Sequence, residues 1–414
     1  MAYITFYFQI HQPRRLHEVD PIDLGTQYHE DLEKIYFNDG LNSLVFNRAA
    51  NKCYFPATEM LLDNVKRLKD SPRPFKIAFG LSGTFLDQCA IFRPDLLNLF
   101  RRLADTGRVE FLCETYYHSL ASLYKSKTEF REQVAMHSQK IEELFGVRPV
   151  TFRNTELLYN NTIARNVADM GFQAMLTEGL PHILQWRSPD YVYKAKGAEI
   201  KLLLRNYGVS DEVGYRFSHK VITADDFAQW LSEINGETCN IFMDYETFGE
   251  HQWLETGIME FLKFLPDAIL KHDNLLFATP GEVTATCPAK DEMDVNEYST
   301  ISWADLERDS SAWLGNDAQK AAFGAIKNIE KLVKKTGDEK FIRIWRNLQT
   351  SDHLYFMCNK WLGDGDVHGY FSHYGSIWKA IGNYFAILSD FQKAIAHKLD
   401  ESKGFANDVE PYKH

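Results

Sequence analysis

Four titratable side chains close the apolar run in "IFMDYETFGEHQW" (241–253): Asp244, Glu246, Glu250 and His251. A strand covered on both faces has no use for them, whereas a site at the end of that strand does. Four further polar clusters fall where strands or helices should end: "QIHQP" (9–13), "GLSGTFLDQ" (80–88), "FRNTEL" (152–157) and "LQTSDHLYF" (348–356). In a parallel α/β barrel the C-terminal ends of the strands gather at one face, so carboxylates that follow different strands can converge on one pocket. Glu156 and Asp244 are the leading pair. Cleavage of a glycosidic bond needs such a pair, one carboxyl to attack or stabilise the oxocarbenium-like carbon and one, kept protonated, to donate to the leaving oxygen. Each residue also has a plainer reading: Glu156 as a solvated ion-pair partner, Asp244 as a helix cap, His11 as a hydrogen-bonded core histidine. Their joint placement at successive element ends favours a site.

Other chemistries find less support. "GLSGT" lacks the final glycine of a nucleophile elbow, because Thr84 stands there. No H-E-x-x-H, no phosphate-binding G-x-x-x-x-G-K-[ST] and no G-x-G-x-x-G occurs. The run "LGDGDVHGYFSHYG" (362–375) carries Asp364, Asp366, His368 and His373, but without the remaining ligands of a calcium loop it reads as a glycine-rich loop. Aromatic side chains border the clusters: Tyr116, Tyr117 and His118 follow the third strand, and Trp253 and Trp361 lie beside the last two clusters. Such flat apolar faces with polar edges suit stacking on sugar rings.

The elements that must position these groups are legible as seven short apolar runs, at 3–9, 75–80, 109–113, 149–153, 172–176, 200–204 and 239–244, each separated by a stretch of helical periodicity. They are continuously apolar, as expected of parallel strands covered on both faces. A weaker run at 274–282 is expected to end the barrel, and the polar, aromatic stretch from about 14 to 60, with Tyr28, His29, Tyr36 and Phe37, reads as a loop over a cleft. Beyond about residue 290 the pattern turns helical. Ser302 three residues before Asp305 reads as a capping-box-like start, Phe323, Ile326, Ile329 and Val333 recur at helical spacing, and further helices are expected around 338–360 and 376–398.

The 414 residues suffice for one barrel and an appendage. A net charge of -11 and a pI of about 5.7, with no basic stretch, argue against nucleic-acid or anionic-membrane partners. Six scattered cysteines without a C-x-x-C pair suit reduced core thiols. The opening "MAYITFYFQIHQP" lacks the basic lead and long apolar region of a signal peptide and is expected to be the first strand of a cytoplasmic protein.

The clusters, in this order, resemble the five sequence regions of glycoside hydrolase family 57, a retaining, α-glucan-active family of α-amylases, 4-α-glucanotransferases, branching enzymes and amylopullulanases. "HQP" and "DYETFGEH" carry the resemblance most specifically, and "GLSGT" and "TSDHLYF" less so. The resemblance implies a (β/α)7 barrel, residues 1–290, followed by an α-helical bundle, 291–414, that contributes to the active site. It implies Glu156 as nucleophile and Asp244 as acid/base, although "RNT" departs from the tryptophan- and proline-containing stretch that often precedes the nucleophile. His11, Gln12 and His118 would contact sugar hydroxyls, Asp87 and Gln88 would support the pocket, and His251, Trp253, Asp352 and Trp361 would hold the substrate. Glu246 would orient its neighbours or tune Asp244, since a nearby negative charge raises a carboxyl pKa. An α-glucan or maltooligosaccharide is the implied substrate, with no cofactor or metal. The alternatives are a glucanotransferase using the same site, a metal-dependent polysaccharide deacetylase or α-mannosidase on a related barrel, and a glucan-binding protein without turnover. "HQPRR" offers no acidic metal ligand near the first strand.

Overall fold

The computed structural model describes residues 1–20, 24, 31–220, 222–360 and 371–407, the side chains only as far as 401. Among the described residues the ten strands are β1 (Ala2–Ile10), β2 (Ile77–Leu81), β3 (Val109–Leu112), β4 (Thr151–Arg153), β5 (Ala174–Glu178), β6 (Tyr193–Ala195), β7 (Lys201–Arg205), β8 (Thr238–Asp244), β9 (Leu275–Phe277) and β10 (Glu292–Met293). The seven apolar runs of the sequence all become strands. They pair in parallel as β1–β2–β3 and β4–β5–β7–β8–β1, and a bridge between Cys113 and Phe152 joins β3 to β4 and closes the ring. The result is a seven-stranded (β/α)7 barrel. β6 runs antiparallel to β7 and pairs with β10, and β9 pairs with the first residues of β1.

Alternation along β1 shows why these strands carry so little surface polarity. Ile4, Phe6, Phe8 and Ile10 belong to the large core under the helices, together with Ile77, Phe79, Leu81 and Ile241. Tyr7 belongs to a second cluster with its register partners Ala78 and Phe242 and with Leu112, Leu176 and Leu203. One face of each strand therefore meets helices and the other fills the barrel. The surrounding helices include α1 (Phe55–Arg67), α2 (Gly83–Phe92), α3 (Pro94–Ala104), α4 (Thr128–Phe145), α5 (Asn161–Asp169), α6 (Tyr207–Gly214), α7 (Ala224–Ser232), α8 (Ile258–Leu270) and α9 (Pro280–Thr286). Their starts follow local chemistry: Ser82, Asn160 and Asn206 accept backbone N–H groups at their first turns, and Thr223 and Thr279 form capping boxes.

The chain divides into two compact units, residues 1–12 with 43–304, and 13–42 with 305–414. The second unit is helical, with α10 (Asp317–Asn328), α11 (Glu330–Lys335), α12 (Glu339–Asn347), α13 (Ser351–Tyr355) and the long α14 (Ile377–Asn407). Within it the segment 13–42 is tied to those helices: the Tyr36 hydroxyl donates to Asp390 at 2.6 Å, Asn383 donates to the His17 carbonyl at 2.7 Å, and Arg343 pairs with Glu33 at 2.6 Å. Among the described residues no helix is long and apolar enough to cross a membrane.

Two local expectations are corrected. The stretch read as a loop from 14 to 60 is helical over Leu32–Tyr36 and again from Asp39 onward, and Phe46, Ala49, Cys53, Ala57 and Leu61 lie in the barrel's outer core at helical spacing; Tyr28 and His29 lie outside the described residues. Ser302 starts no helix. Its hydroxyl donates to the Glu156 carbonyl at 2.8 Å instead, and the next helical turn begins at Ser311.

Candidate active site

Six strands of the ring deliver polar side chains to one end of the barrel. His11 and Gln12 follow β1, Ser82 follows β2, Glu114 follows β3 by two residues, and Arg153, Arg205 and Asp244 end β4, β7 and β8. Glu156 sits in the turn after β4 with a left-handed backbone, φ 56°, as does Leu157, φ 52°. Non-glycine residues in that region cost on the order of 1 kcal/mol or more and persist only where the surroundings enforce them. Here the enforcing segment is 299–304, which pairs antiparallel through Ile301 and Tyr159 and grips the Glu156 carbonyl through Ser302.

The same segment supplies Trp303, whose indole Nε1–H donates to Glu156 Oε2 at 2.8 Å, while His118 Nε2 meets Oε1 at 3.1 Å. Each oxygen of Glu156 thus has its own donor. Arg153, fully buried, lays its guanidinium over the Trp303 ring at 4.8 Å, and among the described residues none accepts a hydrogen bond from its three nitrogens. Burial pushes the Glu156 carboxyl up, but the His118 hydrogen bond and charge, the Arg153 charge and the Trp303 donor outweigh it and hold the group below the usual carboxylate range.

Asp244 lives under the opposite conditions. Among the described residues no side chain hydrogen-bonds its carboxyl, and burial together with the negative charge of Glu156 pushes it up to about 6. Glu246, two residues on, accepts from the Tyr54 hydroxyl, which in turn accepts from Gln12 Nε2 at 2.9 Å. Tyr54 closes a five-residue π-helical turn, Ala50–Tyr54, a local widening that aims its side chain inward. Burial and the nearby Asp244 raise Glu246 to about 8.

His118, itself left-handed at φ 48°, stacks on His11 with ring centroids 4.0 Å apart, and His11 Nδ1 meets Ser82 Oγ at 2.8 Å. Behind His118 lies Glu114, fully buried, 2.6 Å from its Nδ1. Gln9 Nε2 donates to the other Glu114 oxygen at 2.9 Å, and the Tyr7 hydroxyl donates to Gln9.

The remaining sequence candidates are spread more widely. Asp87 accepts from the Tyr116 hydroxyl at 2.8 Å and so ties the helix after β2 to the segment after β3, and Gln88 donates to the Gln12 carbonyl at 2.8 Å and ties the same helix to the end of β1. Burial pushes His251 down to about 4, and Trp253 is 65% exposed. Glu250 pairs with Arg48 at 2.8 Å, which accounts for the third acid of the opening cluster without a role in chemistry. Asp352 lies in the first turn of α13 in the helical unit. Trp361, Asp364, Asp366 and His368 lie outside the described residues. Among the described residues no group of three or more His, Cys, Asp or Glu side chains is arranged to hold a metal ion. Sequence reasoning missed Glu114, Arg153, Tyr54 and Trp303. Glu114 left a signal, an acid directly beyond an apolar run and four residues before His118, whereas Trp303 left none.

The sequence profile of glycosyl hydrolase family 57 matches residues 5–296. A curated protein of Methanocaldococcus jannaschii named "Putative alpha-amylase" is 43% identical over 413 residues, covering 97% of this chain and 86% of that protein. In fold the chain is similar to a GH57 branching enzyme from the hyperthermophilic archaeon Thermococcus kodakaraensis, with a TM-score of 0.67 at 14% identity over 95% of this chain and 90% of that one. It is also similar to the 4-α-glucanotransferase of Thermococcus litoralis, with a TM-score of 0.57 at 18% identity over 86% of this chain, which spans about half, 51%, of that longer protein. A profile match over most of the chain and a close relative along nearly its whole length make this protein a member of glycosyl hydrolase family 57 and, as such, a glycoside hydrolase.

Proposed function

We propose that the chain is a retaining, α-amylase-like hydrolase of α-glucans that cleaves α-1,4-glucosidic bonds through a glycosyl-enzyme intermediate on Glu156. The observation that carries this reading is the split between two carboxyls on one barrel end: Glu156 is held ionised by two donors, and Asp244 is pushed up to about 6. Paired carboxyls driven apart in this way divide into a nucleophile and an acid. Asp244 protonates the leaving oxygen as Glu156 attacks the anomeric carbon, then takes a proton from water, or from an acceptor sugar, in the second step. The exposed face of Trp253 suits stacking on a sugar ring, and His11, whose ring stacks on the His118 ring beside Glu156, is suited to bind a sugar hydroxyl. The six cysteines, all buried and free, support a reducing, cytoplasmic setting.

The test is early hydrolysis of maltoheptaose followed by proton NMR. Sugar of the α-anomer should appear before mutarotation, and Glu156→Gln should lower turnover by roughly a hundredfold or more. First release of the β-anomer, or a Glu156→Gln enzyme with unchanged turnover, would remove Glu156 as nucleophile. Products longer than the substrate would mark interception of the intermediate by a sugar acceptor, the behaviour of a glucanotransferase.

A further inference from the structure

An imidazole with a carboxylate at each nitrogen must carry both protons, because either nitrogen left bare would turn its lone pair on an anion. His118 is in that position, with Glu114 Oε2 2.6 Å from Nδ1 and Glu156 Oε1 3.1 Å from Nε2. Glu114 is fully buried and cannot reach a substrate. Its position is nonetheless fixed from three sides. Gln9 donates to its Oε1, and its backbone N–H donates to His137 Nδ1 at 3.2 Å; His137 Nε2–H in turn donates to the Leu81 carbonyl at 2.7 Å. His137 is thereby committed as a neutral ring whose second nitrogen accepts, so it fixes Glu114 without adding a proton to it.

We propose that Glu114 is a positioning residue for the reaction, whose buried carboxylate fixes His118 as an imidazolium aimed at Glu156 and so orients the nucleophile and keeps it ionised. The inference rests on the reading of Glu156 as nucleophile. The charged and titratable groups around this line are Arg153 from β4, Tyr7 from β1, Cys113 beside Glu114, His137 from α4, His11 stacked on His118, and Asp244 from β8. Burial disfavours the imidazolium, yet the charge and hydrogen bond of Glu114, with those of Glu156, push His118 up to about 9. Burial likewise works against an ionised Glu114, and the His118 and Arg153 charges reverse it. The line is therefore a self-consistent alternation of charges, minus, plus, minus, in the barrel end.

Glu114→Gln isolates the charge from the shape. The amide oxygen can still accept from Gln9, and the amide nitrogen can donate to Nδ1 of a neutral His118 that keeps its Nε2–H on Glu156. Imidazole titration by NMR of the full chain, with His118→Asn to assign the ring, should find His118 doubly protonated at neutral pH in the unmodified protein. In Glu114→Gln its midpoint should fall by on the order of two pH units, a hundredfold in proton affinity. The ratio of unmodified to variant kcat on maltoheptaose should then grow on the order of tenfold between about pH 5.5 and about pH 8, as the variant's His118 loses its proton. In a His118→Asn background Glu114→Gln should cost nothing further. A ratio that does not change with pH would show Glu114 to be structural only. A neutral His118 at pH 7 in the unmodified protein would overturn the proposal, and that result does not depend on any Glu114 variant folding. An enzyme inert on maltoheptaose would overturn the proposed substrate, while the imidazole titration would still decide the role of Glu114.

Discussion

Asp244 carries a cost in the folded state that an asparagine in its place would not. Its folded carboxyl titrates at about 6 against an ordinary value of 3.8, raised by burial and by the charge of Glu156. A raised acid destabilises the fold wherever it is ionised in both states, so the penalty grows as pH rises from about 4 to about 6 and stays constant above that; below about 4 both states are protonated and no penalty exists. Asp244→Asn is therefore expected to raise the unfolding midpoint above the native value at pH 7, with the difference closing toward pH 3.5, while abolishing most turnover. Thermal unfolding across pH checks this. An asparagine variant less stable than the native chain at pH 7 would mean that the carboxyl is held by favourable partners, contrary to its environment here. The same titration sets the alkaline side of kcat/KM, which should fall as pH rises through about 6 because the acid must start protonated.

At the scale of elements, the segment 299–304 decides the geometry of the nucleophile. Beyond the short helical turn Glu297–Ser299 it forms neither strand nor helix of its own, yet Ile301 exchanges two backbone hydrogen bonds with Tyr159, at 2.9 and 3.0 Å, and so brings Ser302 to the carbonyl and Trp303 to the carboxylate of Glu156. Trp303→Phe keeps the packing and removes one donor to Glu156. Losing a donor to the charged form raises its pKa, so the acid limb of kcat/KM should move to higher pH and kcat should fall by roughly tenfold or more. Ile301→Pro removes one N–H of the pair and releases the segment. It should match that kinetic loss while lowering the unfolding midpoint by no more than about 2–4 °C, the effect of roughly one lost hydrogen bond, since the barrel ring is untouched. Kinetics indistinguishable from the parent in both variants would leave the segment with a packing role alone.

For the molecule as a whole, the barrel unit holds Glu156, Asp244, His11, His118 and Trp303, whereas Asp352 belongs to the helical unit. The family resemblance implies that the helical unit contributes to substrate binding, and that expectation is tested most cleanly at this residue. Asp352→Ala in the full chain is expected to lower kcat/KM on maltoheptaose by on the order of tenfold. Parent-like kinetics would remove Asp352 from the site and confine the chemistry to the barrel unit. Truncation is a poorer test, since it would expose apolar surface on whatever remains.

The sequence by itself determined the seven strands, the helical C-terminal part and the positions of the two carboxyls at strand exits. These are local properties: a strand covered on both faces reads as an unbroken apolar run, and a polar group just beyond it stands at the end where a barrel gathers its site. Only the tertiary structure decided what each carboxyl experiences. Ser302 reads locally as a helix cap, and it gave up that part because the Glu156 carbonyl, 146 residues away along the chain, lies within its reach. Trp303 owes its role to Glu156, 147 residues off in sequence, and Glu114 is held on His118 by Gln9, 105 residues off. The pKa of a buried acid is the sum of its desolvation and of the charges and donors folded around it, and burial, the largest of these for Glu156 and Asp244 alike, is set by the fold and not by the residues next to it in the chain.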